Sequence, residues 1–164
     1  MTTKRLATQT GPDRITGVTL DNESLVRWSA EVEHERQVAM FDLLEANHFH
    51  LRIGPDGPYA LHLGLKDATL IIEVRPEAGE AVELRLPVRP FRAVVKDYFL
   101  VCESYYHAIK TATPSRIESL DMARRGLHNE GSEQLREALA DRIEMDDNTA
   151  RRLFTLVCVL HIRG

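Results

Sequence analysis

The densest group of side chains able to do chemistry lies in the last third of the chain. Asp121, Arg125 and His128 recur at i, i+4 and i+7, so on a helix they share one stripe with Glu118. Arg124 points instead to the apolar side marked by Ile117, Leu120 and Leu127. A guanidinium there needs a carboxylate or a bound anion, because an unpaired buried charge is costly. Arg151 and Arg152 open a further helical stretch beside Asp147, Asn148 and Thr149, whose exposed N–H groups favour an anion. Thr113-Pro114-Ser115-Arg116 is another helix start of the same kind. Thr113, Ser115, Arg124, Arg125, His128, Arg151 and Arg152 are therefore candidates for a phosphate or carboxylate pocket, with His128 as acid or base. The competing arrangement is an ion-pair network between helices. Residues 113–164 hold eight Arg and nine acids, so every Arg can find a partner without a ligand. That balance also argues against a nucleic-acid-binding stripe.

A second constellation belongs to a pleated segment. Short turns after residues 53 and 65 place His50 opposite His62, and His62 opposite Glu73. Arg85 then falls beside Glu73, and Glu83 beside Arg75, which is electrostatically better than Glu73 against Glu83. Two imidazoles and a carboxylate (His50, His62, Glu73) are a ligand set for zinc or ferrous iron. No HExxH or comparable spacing supports this, and Arg85 would neutralise the carboxylate, so a solvated polar sheet face is the simpler reading. Other chemistry finds no motif: there is no G-x-S-x-G elbow, P-loop, G-x-G-x-x-G or C-x-x-C, and no cofactor is expected. Cys102 and Cys158 sit among apolar neighbours, where a thiol is inert.

The elements that must position these groups follow from hydrophobic period. The chain has 164 residues, 43% hydrophobic and 28% charged, with a net charge of −4, as expected of one ordinary domain. The charge argues against DNA or anionic membrane as partner. No apolar run is long enough to cross a bilayer, and residues 1–10 lack the apolar stretch of a secretory signal. A cytoplasmic protein with reduced thiols is expected. Residues 1–14 read as a flexible arm and residues 15–164 as a single α+β domain. Ile15 to Leu20 could form a strand. A helix is expected from about Ser29 to Asn47, with Glu31, Glu35, Asp42 and Glu45 on a stripe that reads best as its solvated outer face.

Period-two alternation follows at 49–53, 59–65, 70–74 and 82–86, with Gly54-Pro55-Asp56-Gly57-Pro58, Lys66-Asp67 and Pro76-Glu77-Ala78-Gly79 as turns. This predicts a four-stranded antiparallel meander, with the N-terminal strand a candidate addition, packed on one face by helices. Past Pro90 the chain is helical to its end. Phe91 to Lys110 suits a central helix against the sheet. Thr113-Pro114 starts a helix reaching Gly126 or Gly131, and helix continues from Ser132 to Arg142. A last helix begins at Asp147 or Asn148. Its second half, Leu153 to Ile162, is apolar nearly all round, so it is either the core of the helical layer or half of a subunit interface.

Several stretches resemble one family: Glu31-Val32-Glu33-His34-Glu35-Arg36, Gly57-Pro58-Tyr59, Thr113-Pro114-Ser115-Arg116-Ile117-Glu118, Arg124-Arg125-Gly126-Leu127-His128-Asn129-Glu130-Gly131, Thr149-Ala150-Arg151-Arg152-Leu153-Phe154 and Cys158-Val159-Leu160-His161. Together they resemble the uncharacterised bacterial protein family UPF0262 over nearly the whole chain after the arm. Ala123 stands where the family wording has Gly. The resemblance implies no activity, cofactor or catalytic residue, so no role is carried over. Two functions follow from the residues. The first is a non-catalytic interaction or regulatory protein, meeting a protein partner or a second copy through the last helix. The alternative is a small enzyme or binding protein for a phosphorylated or carboxylated metabolite, using the Arg/His cluster.

Overall fold

A computed structural model describes residues 11–21 and 30–161. The chain is α+β, with a four-stranded sheet and a helical C-terminal half. In chain order the elements are β1 (Ile15–Leu20), α1 (Ala30–Glu45), β2 (Phe49–Leu51), β3 (Tyr59–Lys66), β4 (Thr69–Pro76) and β5 (Val82–Pro87). A 3-10 turn, Arg89–Phe91, leads into α2 (Arg92–Thr111), α3 (Pro114–Leu139), β6 (Ile143–Met145) and α4 (Asp147–His161).

The expected alternation is present on β3, β4 and β5. Leu61, Leu63, Leu70, Ile72, Val74, Leu84 and Leu86 are buried, while Ala60, His62, Arg75, Glu83 and Arg85 face outward. Leu65 pairs with Leu70 and His62 with Glu73, as the short turn requires. The next register differs from the electrostatic expectation: Glu73 stands opposite Glu83, and Arg85 opposite Ile71. Each carboxylate instead pairs with the Arg two residues along its own strand, Glu73 with Arg75 at 3.0 Å and Glu83 with Arg85 at 2.7 Å. Keeping Ile72 on Leu84 and Val74 on Val82 preserves the apolar face, which outweighs one exposed like-charge pair.

The fourth strand of the sheet is β1, not the segment 49–53. The order is β1-β3-β4-β5, with β1 parallel to β3. Residues 13–15 lie between β2 and β3: Phe49 N–H donates to the Asp13 carbonyl at 3.0 Å and Tyr59 N–H to the Arg14 carbonyl at 2.9 Å. Asn47 holds Ile15 from both sides, accepting from its N–H at 2.7 Å and donating to its carbonyl at 3.0 Å. Of the stretch expected as an arm, residues 1–10 lie outside the described residues, and Asp13 and Arg14 are bonded to the domain. Displaced from the sheet, β2 forms a separate antiparallel ribbon with β6.

In the helical layer α4 occupies the centre, packed between α1 and α3 and touching β3, while α2 packs chiefly along α3. The expected place of residues 91–110 against the sheet thus belongs to α4. Leu153, Phe154, Leu156, Val157, Cys158, Val159 and Leu160 are all buried within the domain itself. This decides between the two readings of the apolar last helix: it is core, and no apolar face of α4 is left free among the described residues. The observation that favoured association through this helix is therefore gone.

Helix α3 runs unbroken through both glycines expected near its end. Gly126 faces open space, whereas a Cβ on Gly131 would press into the Phe154 ring, well inside van der Waals contact. Phe154 is fully buried and cannot yield cheaply. Gly131→Ala is expected to destabilise the fold by about 1–3 kcal/mol through overpacking. Gly126→Ala should instead stabilise it by about 0.5–1 kcal/mol through helix propensity. Urea unfolding of the two variants should show shifts of opposite sign.

Candidate functional site

Between α1, α2, α3 and α4 lies an open cleft of about 370 Å³. Helix α3 supplies Arg124, Arg125 and His128 to it. From α4 come Arg151, Arg152 and Thr155, from α1 His34, Glu35 and Asp42, and from α2 Tyr98 and Tyr106. Five of the seven anion-site candidates thus meet in one place. Three come from α3 and two from α4, and packing of α3 on α4 joins them.

The other two do not reach it. Thr113 caps α3, its Oγ1 accepting the Arg116 N–H at 3.3 Å, and Ser115 is exposed beside it. The start of α4 carries its own carboxylate, Asp146, which accepts the Thr149 N–H at 2.9 Å.

The four guanidiniums are unequally compensated. Asp121 takes Arg124 at 2.5 Å and Arg125 at 3.0 Å. Its carboxyl is held below the ordinary range, chiefly by the Arg124 hydrogen bond. Arg124 also lies over the Tyr105 ring, 4.8 Å from its centroid. Burial pulls its pKa down, but Asp121 and its other neighbours outweigh that and raise it, so the group stays charged. Arg151 donates to the neutral Asn129 and makes no ion pair among the described residues. Arg152 reaches Asp42 only at 3.7 Å, beyond hydrogen-bond distance. The Nε atoms of Arg124 and Arg152 are buried with no hydrogen-bond partner among the described residues. A buried, unbonded charged donor is costly, and an oxyanion is one group that would satisfy it.

His128 sits among these charges. Burial, then Arg151, Arg124 and Arg152, push its pKa down to about 4, so the ring is neutral at pH 7. Its Nε2 lies 2.7 Å from Thr155 Oγ1, and that hydroxyl donates to the Arg151 carbonyl at 3.2 Å. The Thr155 oxygen is therefore free to accept, which assigns the proton to Nε2. Tyr98 and Phe154 enclose the ring, with centroids 5.3 and 5.2 Å away.

At the far side, Tyr106 donates to Glu35 at 2.7 Å and Tyr98 donates to it at 3.4 Å. Burial foremost, then Glu35, raises both phenol pKa values, so both hydroxyls keep their protons. Glu35, Asp42, Tyr98, Tyr106 and Thr155 escaped the sequence reading. The acidic stripe on α1 was visible at helical spacing, but it was assigned to solvent. Part of it faces the chain's own arginines.

The sheet-face trio is not assembled. His62 and Glu73 are cross-strand neighbours, but His50 is on the other sheet, paired with Glu144 and bonded to Asp13 at 3.0 Å. His62 Nδ1 lies 2.6 Å from Thr19 Oγ1. No group of three His, Cys, Asp or Glu able to hold a metal occurs among the described residues. The register failed because it took 49–53 as the neighbour of β3, a place that β1 fills. Both cysteines are buried; Cys102 is pushed up to about 12 and Cys158 well above its ordinary value, burial being the main cause of each. No described helix is long and apolar enough to cross a membrane.

Residues 12–163 match the model of an uncharacterised protein family, UPF0262. A UPF0262 protein of Azorhizobium caulinodans is 55% identical over 156 residues, covering 93% of this chain and 96% of the relative. One from Paramagnetospirillum magneticum is 59% identical over 140 residues, 85% of this chain and 89% of the relative. Another, from Brucella anthropi, is 58% identical over 154 residues, 92% and 95% of the two chains. No solved structure matches.

Proposed function

The chain belongs to the uncharacterised family UPF0262, and from that premise we propose that its helical cleft binds a small phosphorylated or carboxylated metabolite. The observation that carries this is the pair of buried, unbonded Nε donors on Arg124 and Arg152, both lining one cleft beside Arg151 and a neutral His128. An internal network would bring each guanidinium to a carboxylate. Among the described residues Arg151 and Arg152 have no carboxylate within hydrogen-bond reach, although the segment has acids enough. A dianion seated there offsets the repulsion among the arginines and accepts their free donors.

Thermal unfolding with added anions tests the reading. A ligand at one hundred times its dissociation constant adds about 2.7 kcal/mol of stability. For a domain of this size that is a rise of roughly 5–10 °C in Tm. Phosphate and phosphate monoesters are expected to give such a rise at constant ionic strength, and chloride none. Equal behaviour in all of these salts would reject the site.

A further inference from the structure

The cleft is sorted by hydrogen-bond polarity. At one end Arg151 and Arg152 offer only donors. Toward the other, Tyr106 and Tyr98 have committed their hydroxyl protons to Glu35, so the carboxylate and both phenol oxygens offer only acceptors. Glu35 makes no ion pair with any of the four guanidiniums among the described residues, although all of them line the same space. Opposite charges are thus held apart across a gap. A single ligand can bridge it if it carries an oxyanion at one end and N–H or O–H donors at the other.

Charge decides which donors. Four guanidiniums stand against Glu35, Asp42 and the Asp121 that pairs with two of them, so the cleft keeps one net positive charge. Arg124 acts on the Tyr106 hydroxyl and on His128 alike, so its charge reaches both ends. An ammonium at the acceptor end would meet that charge, whereas a hydroxyl donates without adding charge. Length follows from α1: Glu35 and Asp42 are seven residues apart, about 10 Å by helical rise. Asp42 marks the Arg152 end. Resting on the proposed anion site, we infer that the ligand is a polyhydroxylated phosphate monoester, its phosphate on Arg151 and Arg152 and its distal hydroxyls on Glu35, Tyr98 and Tyr106.

Calorimetric titration of the full chain with inorganic phosphate and three six-carbon esters tests this. The esters are hexyl phosphate, sorbitol 6-phosphate and 6-aminohexyl phosphate. Sorbitol 6-phosphate is expected to bind at least tenfold tighter than hexyl phosphate. Glu35→Gln should shrink that ratio at least fivefold. Tyr106→Phe is the second variant should the first not fold, and should shrink the ratio in the same direction. A ratio unchanged by both substitutions overturns the inference and leaves the anion site standing, as does tighter binding of the aminohexyl ester. No binding of phosphate or of any ester removes the anion site and the inference with it.

Discussion

Replacing Arg151 and Arg152 together by Met is expected to lower the affinity for inorganic phosphate by a factor of about one hundred or more. Each charge-assisted hydrogen bond to an anion contributes about 1.5–3 kcal/mol, and two of them amount to roughly 10²–10⁴ in the dissociation constant. The choice of pair follows from the compensation pattern. Asp121 engages both Arg124 and Arg125, so their charge is already partly spoken for. Among the described residues Arg151 bonds the Asn129 side chain alone, and Arg152 stands 3.7 Å from Asp42. Methionine keeps the apolar stem against the helices and removes only the charged head. Fold stability should change little, since two mutually repelling cations are lost with one weak ion pair. Calorimetry with phosphate, beside urea unfolding of the same variant, separates the two effects. Native affinity in the double variant would show that these arginines do not bind the anion.

The second large effect concerns pH. His128 has a pKa of about 4 in the folded chain, against about 6.5 when unfolded. Above pH 6.5 the ring is neutral in both states and contributes nothing to the pH dependence. Between 6.5 and 4 the unfolded chain takes up a proton that the folded chain excludes, so stability falls as pH falls. The loss at pH 4 relative to pH 7 is on the order of 3 kcal/mol. Denaturant unfolding at pH 7, 6, 5 and 4 should show the native chain losing that much more than His128→Gln, whose side chain can still donate to Thr155. Superimposable pH profiles would mean that the ring titrates normally. In the Arg151→Met/Arg152→Met variant the same loss should shrink, because two of the three charges that oppose protonation are gone.

How much of this was legible in the sequence depends on how far apart the partners lie. The β3–β4 register was readable because a two-residue turn leaves one pairing, and the burial of Leu61, Leu63 and Ile72 followed from alternation. The position of 49–53 was not, because the competitor for the edge of β3 came from residues 13–20, and local turn chemistry says nothing about a distant strand. Within helices, spacing put Asp121 beside Arg125 and separated Arg124 from that stripe. Asp121 nonetheless reaches both, since i+3 and i+4 are each one turn away. The meeting of Arg124 and His128 with Arg151 and Arg152 was readable as a hypothesis, because all are charged or polar interruptions on helices with apolar faces.

Glu35, Tyr98 and Tyr106 were out of reach for a different reason. An acid on an amphipathic helix has the same sequence signature whether it meets water or a tyrosine from another helix. The last helix posed the same ambiguity in apolar form. Leu153 to Leu160 had to be covered, but periodicity cannot tell cover by α1, α3 and the sheet from cover by a second molecule.

The most direct test of the anion site is NMR of the arginine Nε–H groups during titration with inorganic phosphate at constant ionic strength. The Arg152 signal, assigned by its disappearance in Arg152→Lys, is predicted to move far downfield and to saturate, with the Arg124 signal moving alongside it. An Arg152 resonance that stays in place, or drifts no more than those of exposed arginines such as Arg75 and Arg85, would contradict the account.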